Sequence, residues 1–295
     1  MKDNTAKAVL CAALGNIIWG FSFLFIKVAL SEVSDSNILL AHRFTIATLC
    51  MGVLMLLGKG KVSFKGKNWK PVVVLLAMQL CYYIFETRGI MYTNATISGL
   101  VLAMVPVVTI ATGALFLKEY PTRRQALFCI MPVVGVIIMT VSGKELGVVT
   151  GLGVLFLALT LLSSAFYKTA NRKVAQEFSP FERTFMVLAI SAVAFTVAGL
   201  ASVGGSISAF VAPLASGKYL LAVLSLSLLC SIAANMLVNY ASGNMSVFKV
   251  SSFGSLSTLC STFAGVVFLK EPMSLSLLLG GVLILVGIRQ VTKPR

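Results

Sequence analysis

Polar side chains follow one face of the apolar run 70–92. Gln79, Tyr83 and Glu86 stand four and three residues apart, with Tyr82 beside them. On a helix this spacing brings the three side chains into one stripe. An amide, a phenol and a carboxylate in one stripe supply the donors and acceptors that bind a small polar molecule. We therefore expect them to line a cavity.

A second polar stripe occurs in a later apolar run, where Ser231, Asn235 and Asn239 are four residues apart. An offset of 152 residues superposes Gln79 on Ser231 and Tyr83 on Asn235. Two matched sets of hydrogen-bonding groups suit a site shared between the two runs. The alternative is that both stripes join neighbouring helices through interhelical hydrogen bonds, each contributing about 0.6–2 kcal/mol.

Glu86 is the one carboxylate well inside an apolar run. Ionisable groups in such runs are costly to bury and usually face a cavity, so Glu86 is a candidate for coupling to protons or for recognising a substrate amine. The alternative is a structural ion pair with Arg43 or Arg88. Arg88 is only two residues away and faces another side of the helix, which disfavours a direct pair with it.

Two aromatic residues, Trp19 and Tyr167, also lie in polar stripes and would stack on an aromatic or cationic substrate. The alternative is that they face lipid or pack between helices. Lys27 and Lys168 fall near the ends of their runs, on opposite sides of the membrane, where we expect their ammonium groups to reach the membrane surface. The alternative is that they bind an anionic substrate. The residues predicted to bind substrate are Trp19, Gln79, Tyr83, Glu86, Tyr167, Asn235 and Asn239.

The sequence has no pattern typical of an enzyme or an ATPase: neither a Walker A motif nor a GxSxG, zinc-ligand or Rossmann pattern is present. The single histidine, His42, lacks the partners that a metal site or a catalytic base requires. The six cysteines fall inside apolar runs without CxxC spacing. We therefore expect no catalytic residue, no metal and no cofactor.

Composition indicates the elements that must position these residues. Of the 295 residues, 58% are hydrophobic and 11% are charged, a hydrophobic share well above that of soluble domains. About 20 apolar residues span a bilayer. The apolar runs are 7–30, 37–57, 70–92, 95–117, 124–142, 149–172, 181–202, 217–241, 247–269 and 274–291. The sequence therefore predicts an all-α integral membrane protein with ten transmembrane helices.

The net charge of +15 is explained by topology. Lys and Arg in short loops stay cytoplasmic, and the basic segment 59–70 fixes the orientation. With that segment and both termini inside, 18 of the 24 Lys and Arg lie on the cytoplasmic side. The excess of positive charge thus records loop placement in the cell (inner or plasma) membrane, and we expect no nucleic-acid partner.

An internal repeat divides the chain. The segment Phe116-Leu117-Lys118-Glu119 recurs 152 residues later as Phe268-Leu269-Lys270-Glu271, and Gly135 recurs as Gly287. Each half then holds five predicted spans, 1–145 and 146–295. Because five is odd, the second half enters the membrane from the opposite side. Inverted halves of this kind are typical of transporters that expose one midplane site alternately to each side.

The sequence resembles the EamA branch of the drug/metabolite transporter superfamily. The residues that carry this resemblance are Gly15-Asn16-Ile17-Ile18-Trp19-Gly20, Ala41-His42-Arg43-Phe44, Met91-Tyr92-Thr93-Asn94-Ala95-Thr96, Pro106 and the two Phe-Leu-Lys-Glu segments. The resemblance implies two inverted five-helix repeats, with spans 1–4 and 6–9 around a central cavity and spans 5 and 10 peripheral. It also implies export of amino acids or other small metabolites. The second half departs from the pattern, since Thr258 stands where Pro106 would repeat.

The sequence therefore predicts a secondary active exporter of amino acids or related small metabolites, working by alternating access in the lipid bilayer, with protons as a candidate coupling ion. One alternative is an importer or exchanger of other polar metabolites or organic cations. Another is a membrane enzyme acting on lipid intermediates, which would need acid, base or metal groups clustered near one membrane surface.

Overall fold

The computed structural model describes residues 2–63, 66–92, 101–141, 150–269 and 275–293, and all regular structure in them is helical. The first half contains α1 (Lys2–Leu30), α2 (Ser36–Leu56), α3 (Lys70–Tyr92), α4 (Val105–Leu117) and α5 (Arg123–Val141). The second half contains α6 (Gly151–Val174), α7 (Pro180–Ser202), α8 (Ile207–Val211), α9 (Gly217–Ser225), α10 (Ala234–Asn244), α11 (Val247–Ser252), α12 (Gly254–Leu269) and α13 (Leu275–Thr292). A 3₁₀ turn (Ala212–Ala215) precedes α9, and a π-helical stretch (Leu226–Ala233) joins α9 to α10.

Each predicted apolar run coincides with helical structure over its described part. The proposed boundary between residues 145 and 146, residues 95–100 of the fourth run and Lys270-Glu271 of the second Phe-Leu-Lys-Glu segment lie outside the described residues.

Six described stretches are long and apolar enough to cross a membrane. They are Thr5–Leu30, Ser36–Leu56, Gly151–Val174, Pro180–Ser202, Gly217–Asn244 and Val247–Phe268. The helix Val105–Leu117 and the segment Leu278–Thr292 are apolar but shorter. These stretches support a multi-pass membrane protein.

Local sequence signals set where several helices begin. Ser179 caps α7 by accepting a hydrogen bond from the backbone N–H of Glu182, and the Glu182 carboxylate accepts one from the backbone N–H of Ser179. This reciprocal pair satisfies two donors that a helix start leaves open. Thr150 caps α6 by accepting a hydrogen bond from the backbone N–H of Gly153, so α6 and α7 both have defined starts.

The helix of the fourth predicted span has a one-residue break at Met104, two residues before its proline, where the backbone stays in the α region. Residues 101–103 are helical, a turn follows at Met104, and α4 begins at Val105 with Pro106 in its first turn. Proline lacks a backbone N–H, so it fits the first turn of a helix, where that donor has no helical partner, better than a helix interior. The ninth predicted span is also broken, at Phe253 between α11 and α12, although no proline is present there.

The long helices pack in a regular pattern. Helix α1 packs along α10 and α12, and α6 packs along α3 and α4. Helix α2 packs along α7, and α5 packs along α13. Residues from α1, α10 and α12 share one hydrophobic core cluster with residues from α5 and α13, while residues of α2 and α7 form another.

Glycine permits the closest helix contacts. A Cβ atom at Gly20 would lie 2.5 Å from Cβ of Cys260 and 2.8 Å from the carbonyl oxygen of Ser257, so Gly20 lets α1 approach α12. The repeat-related pair Gly135 and Gly287 both lie at the contact between α5 and α13.

Candidate functional site

A central cavity of about 290 Å³ lies among α1, α2, α3, α6 and α10. It is lined by Trp19, Ser22, Arg43, Gln79, Tyr82, Tyr83, Glu86, Ser164, Tyr167, Lys168 and Asn235. Six of the seven residues predicted to bind substrate are in this lining, and Asn239 is not. Both halves of the chain contribute polar side chains to the wall.

An adjoining cavity of about 280 Å³ shares Trp19, Tyr82, Ser164 and Lys168 with the central cavity. Its other lining residues include Val105 and Pro106 at the start of α4, and Ser251 and Gly254 on either side of the break at Phe253. Both helix breaks therefore lie against this cavity. A broken helix leaves backbone groups without helical partners, and such breaks are tolerated at membrane depth where they line a cavity.

The carboxylate of Glu86 is held by a neighbour on its own helix. Tyr82 donates a hydrogen bond of 2.6 Å to Oε1 of Glu86. Among the described residues, no Lys or Arg nitrogen lies within 4.0 Å of this carboxylate. Arg43 donates instead to Ser231, and the exposed Arg88 lies over the ring of Phe156 at 5.9 Å. The alternative of a direct ion pair with either arginine is therefore wrong for this conformation.

Arg43 is a functional candidate that the predicted set lacks. Its Nε donates a 2.7 Å hydrogen bond to Oγ of Ser231, and its backbone carbonyl accepts one of 2.9 Å from Ser227. These bonds attach α2 to the π-helical stretch while the guanidinium remains at the cavity wall. The signal in the sequence was a lone arginine inside the apolar run 37–57.

Trp19 and Asn235 both bind the carbonyl groups of the π-helical stretch. Nε1 of Trp19 donates to the carbonyl of Cys230 at 2.9 Å, and Nδ2 of Asn235 donates to the carbonyl of Ser231 at 2.8 Å. A π-helical turn is often found at functional sites. Trp19 and Tyr167 line the central cavity, and each also packs against a hydrophobic core cluster between helices.

Tyr83 packs among aromatic rings from three helices. Its ring lies 5.4 Å from that of Phe44 and 5.6 Å from that of Phe195, distances typical of favourable aromatic pairs. Gln79 is buried on the same face of α3. The predicted stripe on α3 is therefore one wall of the cavity.

Lys168 faces the inside of the helix bundle, so the prediction that its ammonium group reaches the membrane surface is wrong for this conformation. Its side chain lines both cavities, and Nζ donates a 3.2 Å hydrogen bond to Oγ of Ser251. Ser251 is buried and also shares a 2.9 Å hydrogen bond with Thr109. The lysine is six residues before the end of α6 at Val174, and the helices around it turn it inward.

Asn239 lies one helical turn beyond Asn235 and belongs to a separate buried network. Its side chain accepts from Asn171 and donates to Thr184, both at 2.8 Å, and its carbonyl accepts from Arg183 at 2.5 Å. Asn239 is 3% exposed and Arg183 is 1% exposed. A buried guanidinium requires such acceptors, so these contacts hold Asn239 away from the cavity.

A second cluster lies on the predicted cytoplasmic side of this network. Arg172 donates to Oε1 of Glu119 at 2.8 Å, and Oε2 of Glu119 accepts from the backbone N–H of Val247 at 2.7 Å. Arg172 also donates to the carbonyls of Ser242 and Gly243. The end of the first Phe-Leu-Lys-Glu segment is thereby joined to α6 and to the start of α11.

The other chemistry-bearing groups have structural partners. His42 is buried, with Nδ1 2.9 Å from the hydroxyl of Tyr219. Within the part of the chain that the structure describes, no group of three His, Cys, Asp or Glu residues is arranged to hold a metal ion.

Comparisons with known proteins agree with this architecture. The model of the EamA-like transporter family matches twice, at residues 6–141 and 151–292. The "Uncharacterized transporter YcxC" of Bacillus subtilis (strain 168) is 34% identical over 295 residues, which cover 98% of this chain and 93% of the relative. An "Uncharacterized transporter" of Archaeoglobus fulgidus is 22% identical over 290 residues, 96% of this chain and 98% of the relative.

A solved structure described as "Crystal structure of protein" superposes with a TM-score of 0.81 at 19% identity, covering 97% of this chain and 98% of that chain. At this identity the likeness shows the fold alone. The family match covers both halves, and the relatives are named as transporters. The chain therefore belongs to the EamA-like transporter family and is a multi-pass membrane transporter.

Proposed function

We propose that the protein is a secondary active transporter of the plasma membrane that exports amino acids or related small metabolites by alternating access. The central cavity carries this proposal, because helices of both halves contribute polar side chains to it. A cavity of about 290 Å³ is at the small end of ligand pockets, which suits a metabolite better than a larger solute.

The proposed architecture is ten transmembrane helices in two inverted five-helix repeats, 1–145 and 146–295. The packing pattern supports this architecture. In the repeat, α1 corresponds to α6, α3 to α10 and α4 to α12. The contacts of α6 with α3 and α4 are matched by those of α1 with α10 and α12. Helices α2 and α5 each pack on their own counterpart, α7 and α13. A chain with this symmetry has two equivalent conformations, one open to each side.

In the proposed orientation both termini are cytoplasmic. Two sets of contacts then lie between the cavity and the cytoplasm: the buried network of Asn171, Arg183 and Asn239, and the pair of Arg172 with Glu119. Uptake of a substrate from the cytoplasm requires these contacts to part, and release outside requires them to form again. Glu86 is the proposed group for proton coupling, because it is the carboxylate in the lining of the central cavity.

The test is flux through proteoliposomes that contain the purified protein, using labelled L-amino acids and amines with and without an imposed pH gradient. Substrate-dependent flux above that of empty vesicles is the expected result, and trans-loading of unlabelled substrate separates exchange from net transport. Gln79→Leu in the cavity wall should lower flux, while Gly52→Ala, which would contact nothing within 4 Å, should not. A folded protein that moves none of these compounds contradicts the proposal.

A further inference from the structure

The cavity wall has few charged residues, and the positive ones outnumber the negative ones. Among the described residues, Arg43, Glu86 and Lys168 are the charged side chains that line the central cavity, and Lys168 is the charged side chain that lines the adjoining one. Two cationic groups therefore face one carboxylate.

Arg43 and Lys168 differ in their contacts. Arg43 lines the central cavity alone and has a defined structural bond, from Nε to Ser231. Lys168 lines both cavities, so it is the cation more widely placed to meet a bound molecule.

The ammonium group of Lys168 has more N–H donors than it has hydrogen-bond partners among the described residues. An ammonium group carries three N–H donors and no acceptor, and in the described part of the chain its recorded hydrogen bond is the one to the neutral hydroxyl of Ser251. No Asp or Glu oxygen lies within 4.0 Å of Nζ among the described residues. A partly buried ammonium is stabilised by an anionic oxygen in contact with it, and no described Asp or Glu is that close.

The space beside Nζ is open. Gly254, the first residue of α12, has no side chain there, and a Cβ atom at this position would lie 3.8 Å from Nζ. Lys168 lines both cavities. An oxygen atom of a bound molecule can therefore approach it without displacing a protein group.

We infer that Lys168 binds a carboxylate of the transported molecule, so that substrates carry a carboxylate and simple organic cations are poor ligands. This inference rests on the proposed transport function and specifies its substrate class. For a molecule that also has an amine, Glu86 is the anionic group in the lining of the same cavity among the described residues. The preferred ligand is then a zwitterion, bound at its two charges by Lys168 and Glu86.

Binding can be read from Trp19, which lines both cavities. The chain has two tryptophans, and Trp69→Phe leaves Trp19 as the sole reporter while keeping an aromatic ring against Phe178. Two ligand sets compare an amino acid with its amine and its acid: leucine with isoamylamine and isocaproate, and phenylalanine with phenethylamine and hydrocinnamate. Fluorescence titration in detergent gives Kd, and proteoliposome flux is measured for the same compounds.

In the Trp69→Phe background, the amino acids should bind more tightly than the amines. Lys168→Met should weaken amino acids and acids by about tenfold or more, the scale of one hydrogen bond to a charged group, while the amines change little. Lys168→Arg, which keeps the charge, should restore part of the affinity. Lys173→Met removes an exposed lysine of the same helix and should leave every Kd unchanged. Thermal unfolding of each variant confirms that it is folded.

The outcomes separate the two proposals. Amines that bind or are transported as well as the amino acids, or a Lys168→Met variant that keeps its affinity for carboxylates, overturn the role of Lys168 and leave the transport function standing. A folded protein that neither binds nor moves any of the six compounds, nor any other labelled amino acid or amine, contradicts the transport function and the inference with it.

Discussion

Arg172 binds Glu119 across the two halves of the chain, with Nε 2.8 Å from Oε1. Glu119 ends the first Phe-Leu-Lys-Glu segment and Arg172 lies in the last turn of α6. The second carboxylate oxygen holds the first backbone N–H of α11, that of Val247. One side chain therefore ties the end of α4 to two elements of the second half, at the predicted cytoplasmic end of the cavity.

Glu119→Gln should lower the free energy of unfolding by about 1–2 kcal/mol, because it removes a charge-assisted hydrogen bond from a pair that is still partly solvated. Thermal or denaturant unfolding in detergent measures this. Because the two groups act on each other, the double variant with Arg172→Gln should lose less than the sum of the single losses. The matched control is Glu32→Gln in the exposed pair with Lys218, which should change stability less. Additive losses at Glu119 and Arg172 would contradict a direct interaction.

Asn235 and Asn239 are one turn apart, and the same substitution should affect them differently. Asn239→Ala leaves Thr184 and Asn171 short of a partner inside a buried network, so the free energy of unfolding should fall by about 2–3 kcal/mol, with KM for transport little changed. Asn235→Ala opens the cavity wall and should raise KM several-fold, on the scale of one hydrogen bond. Transport kinetics and unfolding of both variants decide this. If Asn239→Ala raised KM more than Asn235→Ala does, Asn239 would be a substrate-binding residue and this prediction would be wrong.

Gly20→Ala should destabilise the protein by about 1–3 kcal/mol, the usual cost of overpacking. The new methyl group would lie 2.5 Å from Cβ of Cys260, so α1 and α12 must separate. Gly52→Ala is the matched control, because a Cβ atom there would contact nothing within 4 Å. Unfolding of the two variants side by side is the measurement. Equal stabilities would show that the contact between α1 and α12 tolerates the extra methyl group.

Helical periodicity was sufficient to predict one wall of the cavity. Gln79, Tyr83 and Glu86 are separated by four and three residues, and α3 is a continuous helix there, so the spacing translates directly into one face. The positions of the helices followed from composition, since long apolar runs leave few other structures in a membrane.

The positions of Asn239 and Lys168 could not be predicted in this way. Asn235 and Asn239 are one turn apart on the continuous helix α10 and share a face, but helical spacing does not say where along that face the cavity ends. Asn239 is further held by Arg183, more than fifty residues earlier in the sequence. Lys168 depends on the break at Phe253, which presents Ser251 and Gly254 to it, and no proline marks that break.

Glu86→Gln should remove the response of flux to an imposed pH gradient. The substitution keeps the shape of the side chain and an oxygen that Tyr82 can still donate to, while it removes the group that takes up and releases a proton. Flux in proteoliposomes at several external pH values, with and without a gradient, is the measurement. Glu32→Gln, outside the cavity and near the predicted outer surface, should leave the pH dependence unchanged. If Glu86→Gln transports with the same pH dependence as the unchanged protein, Glu86 does not couple protons to transport, and its role is confined to binding the substrate amine.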